Sequence, residues 1–514
     1  MLGSELFAAY AETHYKFRLP WSPLHEPWPE IFLDAPCRVE PGQAWPLVLA
    51  VRDADLYPVR IHSIECTLSA EGWPPFTWTI PLELKLEAPF HFVPLPLELN
   101  GQRGTVRLHA RIDAERIGTK IPRMARRTIQ DWNYPSLAPT PLQALILEHP
   151  FPKPSNWWAG ETHCHTWHSS DPVEFGAPAV VLQNAARALA LDFVLCTDHS
   201  YDFYYRNDNY RIPCDPQSRW QSLRNECAEL APYPLMVPGE EVSCGNAMGE
   251  NVHLLVAGHP DFIPGLGDSG RRWFDNRPEL SIGEVLELVG DVPCFGAHPH
   301  APMGRIQRKV FRRGHYHASD IFANQTNSLA GLEFWNGIPD RGYQAGRAFW
   351  IQRLLEGNRI LPIGGNDAHG DLNRFTGVRI PLYSLRSNRN RLFGRTRTVL
   401  EGTSPFLNTA QLHESFRQAR QNGHLYATDG PSIVIQMTGD RCEIIAQSSP
   451  DFGAIDDLRI YFGKVGATSE IVCMHRGSGY TYSCMEQALA GNSYVRAECR
   501  TRLGYQAITA ACWV

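Results

Sequence analysis

The residues of this 514-residue chain whose types and spacing could do chemistry are histidines and carboxylates set at the ends of short apolar runs. His163-Cys164-His165 follows residues 157–162, Asp198-His199 follows 192–196, and Glu240-Glu241 follows 235–237. His253 sits inside the apolar run 252–257, His298 ends Cys294-Phe295-Gly296-Ala297, and Asp367-Ala368-His369 follows 361–365. Residues two apart in an extended segment point the same way, so His163 with His165, and Asp367 with His369, can each offer two ligands to one side. Imidazole mixed with carboxylate favours Zn, Mn or Fe over Ca or Mg, and several carboxylates among many imidazoles suit two or three divalent ions that share bridging oxygens. A single histidine of this kind is more readily a hydrogen-bonded core or surface residue. Five such elements in register with five strands are not, because burying that many polar groups without a partner ion is costly.

The elements that must position these residues are legible as patterns. After Trp157, strand-like runs alternate with helical segments at 177–190, 217–230, 281–289, 343–356 and 409–422, and Ser281 with Glu284 forms a capping box. Alternating strand and helix argues a parallel α/β architecture, in which polar residues at the carboxyl ends of strands converge on one face. Ahead of it, residues 45–113 alternate with period two, as in Val106, Leu108, Ala110 and Ile112 against Arg107, His109 and Arg111, which predicts an antiparallel β-sandwich. Six prolines between 134 and 154 read as a linker. Beyond 432 the chain returns to short strands. The expected division is 1–150 for an N-terminal β-sandwich and linker, 151–425 for the catalytic region, and 426–514 for a small C-terminal β extension.

Composition limits the function classes. With 43% hydrophobic and 20% charged residues the chain is of ordinary globular type. Lys plus Arg number 48 against 54 Asp plus Glu, a net charge of −6, so the basic footprint of a dedicated nucleic-acid binder is missing. The first residues lack a basic flank and an apolar core, and no run approaches the ~18 apolar residues that cross a bilayer; a cytoplasmic location without membrane contact is expected. Thirteen cysteines, none spaced C-x-x-C, read as reduced thiols.

Six motifs in order resemble the polymerase and histidinol phosphatase (PHP) superfamily of metal-dependent phosphoesterases. They are Gly160-Glu161-Thr162-His163-Cys164-His165-Thr166, Cys196-Thr197-Asp198-His199, Pro238-Gly239-Glu240-Glu241-Val242-Ser243, Val252-His253-Leu254-Leu255, Gly296-Ala297-His298-Pro299 and Gly365-Asn366-Asp367-Ala368-His369-Gly370. Gly331-Leu332-Glu333-Phe334-Trp335-Asn336 looks like the family's strand before its last helix, and the flanking β segments look like the subgroup related to carbaryl hydrolases. The resemblance implies an α/β fold, a distorted (β/α)7 barrel flanked by the sandwich and the small extension, holding two or three divalent ions. His163, His165, Glu241 and Asp367 would hold one ion, Glu241, His253 and His298 a second, and Asp171, His199 and His369 a third, with His168 as the alternative to Asp171. Glu241 is chosen over Glu240, and His298 over His300, by the same alignment.

These implications lead to an expected activity. A cation lowers the pKa of bound water, so a hydroxide nucleophile is available at neutral pH, and a second ion polarises the scissile oxygen. The expected reaction is hydrolysis of a small, anionic phosphate ester by metal-bound hydroxide, with Asp367 and His199 acting in the chemistry. The alternatives are a carboxylic ester, carbamate or amide hydrolase on the same site, and a metal-stabilised binding module without catalysis. The acid-free run Arg305, Arg308, Lys309, Arg312, Arg313, His315 and His317 is a solvated face or an anion-binding fork, with Arg305, Arg347 and Arg374 as candidate substrate contacts and Arg341 as a further one. Trp167, Tyr201, Phe203, Tyr204 and Tyr205 could wall a pocket. Asp198 either orients a ligand imidazole or simply closes its strand end.

Overall fold

The structure is a computed structural model, and it describes residues 28–99, 101–118, 125–133, 139–169, 176–207, 212–268, 276–304, 308–309, 311–321, 329–370, 372–373, 377–380, 383–386, 391–488, 491 and 493–514. In the N-terminal part, Trp45–Arg52 pairs antiparallel with Glu30–Asp34 and Phe90–Leu97, and a second sheet contains Val59–Ala70, Trp73–Leu86, Gly104–Arg116 and Leu142–Ile146. The period-two pattern explains the packing: Val106, Leu108, Ala110 and Ile112 turn inward beside Trp45, Leu49, Ile61 and Ile64 from both sheets, while Arg107 and Arg111 face solvent. Leu142–Ile146 corrects the expectation of a linker between 134 and 154, since it pairs with Gly104–Arg116 despite the flanking prolines.

The central layer carries the motifs. Seven strands lie side by side: β1 (Trp157–His165), β2 (Phe193–His199), β3 (Leu235–Gly245), β4 (Asn251–Val256), β5 (Cys294–Ala297), β6 (Gly331–Asn336) and β7 (Leu361–Gly365). β1, β2 and β3 run parallel, β3, β4 and β5 antiparallel, and β5, β6 and β7 parallel again. Helices α1 (Ala179–Ala188), α2 (Pro216–Glu229), α3 (Ile282–Val289) and α4 (Arg341–Leu355) connect them, and α5 (Thr409–Asn422) follows later. The capping box is present at α3: Glu284 N donates to Ser281 Oγ at 3.3 Å, and Ser281 N donates to Glu284 Oε2 at 2.7 Å.

The expected distorted (β/α)7 barrel with a small β extension is overturned by this topology. Among the described residues the chain is mostly strand, with five α-helices and large mixed sheets. Two features account for the difference. β3 returns through a short turn straight into β4, so the middle of the layer is antiparallel, and a buried apolar strand reads the same in either direction. The C-terminal strands also do not form a separate piece. Arg397–Glu401 pairs antiparallel with β1, Leu425–Thr428 with Arg397–Glu401, and Gln506–Thr509 with Leu425–Thr428, carrying Ser493–Thr501, Ile455–Lys464 and Ile471–Arg476 into one 15-stranded sheet. Among the described residues, no helix is long and apolar enough to cross a membrane.

The end of β7 is stitched to β1, and this positions the site. Thr162 Oγ1 donates to Gly364 O at 2.9 Å, Asp367 N donates to His163 O at 2.7 Å, and Ala368–His369 pairs parallel with Cys164–His165. The approach requires glycine at 365, where a Cβ would lie 2.8 Å from His163 Cβ and 3.1 Å from Glu333 Oε1.

Candidate metal centre

At the end of β1, just beyond β7 and within β3, His163, His165, Asp367 and Glu241 bring one ligand atom each to a common point. His163 Nε2 lies 3.4 Å from Glu241 Oε2 and 3.3 Å from Asp367 Oδ1; His165 Nε2 lies 3.3 Å and 3.1 Å from the same two oxygens. The chain alone does not complete this arrangement: His163 Nε2 and Glu241 Oε2 are buried and have no hydrogen-bond partner, although they face each other. Buried polar atoms are almost always satisfied, so atoms of this kind aimed at one point could hold a cation between them.

Glu241 links this group to a second. Its Oε2 lies 2.9 Å from His199 Nδ1 and its Oε1 lies 2.5 Å from His253 Nδ1. A third group joins His163, His298 and Glu333, with His163 Nδ1 3.2 Å from Glu333 Oε2 and His298 Nε2 3.3 Å from Asp367 Oδ2. The fourth joins His165, His199 and His369, the rings of His165 and His369 stacking at 3.9 Å. Two of these nine residues, His298 with φ of 44° and Asp367 with φ of 51°, stand in left-handed backbone, which costs of order 1 kcal/mol or more at a non-glycine residue and clusters at functional positions.

The electrostatics set complementary charge states. Burial alone would raise Glu241, but His253, His163 and His199 hold its carboxyl well below the ordinary range. Burial acts likewise on Asp367, and Arg391 with His163 overcomes it. Burial would lower His163, yet Glu333, Asp367 and Glu241 hold it well above its usual value. Three carboxylates surround that imidazole at close range, a charge excess that a divalent cation would neutralise. Burial followed by His369 and His199 lowers His165, keeping it neutral and able to ligate. Glu240 points away from Glu241 to Ser200 Oγ and Ile263 N, and burial pushes it up to about 8.

Surrounding groups fix these side chains. Asp198 Oδ1 accepts from Thr166 N and Ser169 N, and the Ser169 hydroxyl lies 3.1 Å from His165 Nδ1, so Asp198 orients that imidazole through the turn rather than contacting its neighbour His199. Asp268, held well below the ordinary range because Arg313 and His253 outweigh its burial, lies 3.1 Å from His253 Nε2 and pairs with Arg313. Asn336 Nδ2 lies 2.7 Å from His298 Nε2 and donates to Glu333 Oε1 at 2.9 Å.

The structure thus gathers eight of the nine expected ligands, with Asp171 outside the described residues. Their grouping differs from the expected one: His298 sits with His163, Glu333 and Asp367, not with Glu241 and His253, because β5 and β6 place it beside the end of β7. His168 is not in the cluster; its ring lies 3.2 Å from Glu226 and against Arg219, and His300 stacks on His315 instead. Of the substrate contacts, Arg305 and Arg374 lie outside the described residues, and Arg347 is removed from the site by its pair with Glu498. From the arginine run, Arg313 reaches the cluster, while Arg308 binds His315 at the surface. Tyr201 stacks on His199 at 4.5 Å; Phe203 and Tyr204 pack on Phe262, and Trp167 donates to Glu226. Sequence reading missed Glu333, Asp268, Asn336 and Arg391, whose Nη1 lies 2.5 Å from Asp367 Oδ2. A lone glutamate in the apolar strand Gly331–Asn336 was the available signal for Glu333.

Comparison with known proteins adds little. No family model matches the chain and no curated protein does. Solved structures with a likeness include a β-D-mannosidase from Dictyoglomus thermophilum, 8% identical with a TM-score of 0.22 over 94% of this chain and 66% of that one. A Bacteroides uniformis β-glucuronidase 2 calcium-binding mutant is 9% identical, with a TM-score of 0.18 over 94% and 60%. A putative β-galactosidase from Bacteroides fragilis is 10% identical, with a TM-score of 0.17 over 96% and 73%. The chain spans less than two thirds of the first two. Scores this low show neither fold nor function.

Proposed function

We propose that the chain is a metal-dependent hydrolase acting on small anionic phosphate esters, with two or three divalent ions of the Zn, Mn or Fe class held by His163, His165, His199, Glu241, His253, His298, Asp367 and His369. The observation that carries this reading is the convergence of His163, His165, Glu241 and Asp367 with His163 Nε2 and Glu241 Oε2 buried and unsatisfied. The donor set fits: imidazoles and carboxylates in a mixture suited to borderline divalent ions, with Glu241 offering one oxygen to each of two groups. Such ions, when bound, acidify water and withdraw charge from a phosphoryl or carbonyl oxygen.

The chain's own residues do the rest. Ser169 sets the ring of His165 so that Nε2 points at Glu241 and Asp367, and Glu333 does the same for His163 through Nδ1. Asp268 holds His253 by Nε2, leaving Nδ1 for Glu241. Arg391, with its side chain 45% exposed beside Asp367, and Arg313 beside Asp268 place two guanidiniums at the rim, where they would orient an anionic group and offset its charge; this favours a phosphate ester over a neutral one. Tyr201, stacked on His199, offers a flat face to an organic leaving group.

The test is turnover of aryl phosphates and aryl carboxylic esters by the purified chain with added Mn or Zn, with inorganic phosphate as inhibitor. Phosphate ester turnover inhibited by phosphate is expected. Ester turnover indifferent to phosphate would reverse the substrate class, and bound metal without turnover of any ester would leave a binding module.

A further inference from the structure

A second set of ligand atoms lies far along the chain from the central cluster, between two C-terminal strands. Ile471–Arg476 and Thr481–Gln487 belong to different sheets, the first paired with Ile455–Lys464 and the second with Arg441–Gln447. Their burial alternates, so Cys473 and His475 on one strand, and Tyr482, Cys484 and Glu486 on the other, turn inward while Val472, Met474 and Met485 turn outward. The sequence carries this as two matching triplets, Cys473-Met474-His475 and Cys484-Met485-Glu486.

We propose that Cys473, His475 and Glu486 form a separate binding site for a borderline-soft divalent cation, zinc above all. Three ligand atoms form a closed triangle: Cys473 Sγ to His475 Nε2 is 3.3 Å, His475 Nε2 to Glu486 Oε1 is 3.1 Å, and Cys473 Sγ to Glu486 Oε1 is 3.7 Å. A tetrahedral ion with bonds of about 2.0 Å to nitrogen and oxygen and about 2.3 Å to sulfur spaces its ligands by about 3.3–3.6 Å, the size of this triangle. Without an ion the three are held by hydrogen bonds, the thiol donating to Glu486 Oε1 and the His475 ring nitrogen contacting both neighbours. A cation in front of the triangle engages all three at once, releasing the thiol proton to solvent. Side chains of His475 and Glu486 that are 22% and 28% exposed leave a path for the ion and room for a water as fourth ligand. The ligand set differs in kind from the central one, which has no sulfur.

That difference supplies a test independent of the proposed hydrolase. The full-length chain is loaded with Co(II) and its near-ultraviolet absorption recorded for the sulfur-to-cobalt charge-transfer band, which nitrogen and oxygen ligands do not give. The expected result is a band whose amplitude corresponds to one thiolate-bound ion per chain, lost in Cys473→Ser, retained in His163→Ala, and retained in Cys484→Ser, whose thiol lies on the same strand face but outside the triangle. Glu486→Gln keeps the thiolate but weakens Co(II) binding about tenfold. Circular dichroism of each variant confirms that the strands are intact. No band in the parent chain, or a band that survives Cys473→Ser or disappears in Cys484→Ser, overturns the assignment.

Discussion

Arg496 in the C-terminal strands is fully buried, and so is Glu241 in the central ones, but their surroundings treat the charge in opposite ways. Arg496 donates from Nε to Glu470 at 2.7 Å, pairs by its two other nitrogens with Glu470 and Glu498, and lies over the Tyr461 ring at 3.8 Å. Glu498 takes Arg347 as well, at 2.8 Å from Nε. Every charge there closes on another side chain, so the cluster is complete as a piece of structure. Around Glu241 the atoms meet head to head and leave His163 Nε2 and Glu241 Oε2 without a partner. Burial of charge therefore does not distinguish the two clusters; the convergence of unsatisfied ligand atoms on one point around Glu241 does.

Breaking each cluster should give different phenotypes. The largest effect is expected for Asp367→Ala, which removes a carboxylate shared by His163, His165 and His298: metal-dependent turnover should fall about 10³-fold, with bound metal falling alongside it and the far-ultraviolet circular dichroism unaltered. Arg496→Ala should do the reverse. It leaves Glu470 without its cation and Glu498 with Arg347 alone, costing about 3 kcal/mol in urea unfolding, with metal content per folded chain unaltered.

A third buried carboxylate sharpens the contrast. Burial raises Asp429 to about 6, and the hydrogen bond from Gln506 N only partly offsets this. Because its folded pKa lies above the unfolded value of about 3.9, the unfolded state holds fewer protons between the two, so stability present below pH ~4 is lost as pH rises through ~6. Asp429→Asn should flatten that slope, a difference of about 3 kcal/mol at neutral pH in denaturant titrations run across the window. Glu333→Gln is the mildest case. It keeps the contact to His163 Nδ1 but drops the charge, and metal affinity measured by competition with a chelator should weaken about tenfold.

The residues of the central cluster were legible because each carried a local signal: a histidine or carboxylate ending an apolar run, and i, i+2 pairs such as His163 with His165. Their sharing was not. That His298 joins His163 and Glu333 depends on the stitch between β7 and β1, a contact between residues about 200 apart that no local pattern encodes. Strand direction was hidden for the same reason, since Val252-His253-Leu254-Leu255 reads as a buried strand whichever way it runs. Arg347 shows the limit plainly. Its type suggested an anion site, whereas its partner Glu498 lies 151 positions away on a strand that joins the central sheet through Gln506–Thr509.

Metal content of the full-length chain carrying Cys473→Ser, determined by elemental analysis after reconstitution with Zn or Mn and removal of loose ions, tests the central site without interference from the C-terminal one. At least one tightly held ion per chain is predicted, lost when Asp367→Ala is added. Less than one ion per chain in the reconstituted protein, or a content indifferent to Asp367→Ala, would contradict the assignment of these buried histidines and carboxylates as a metal centre.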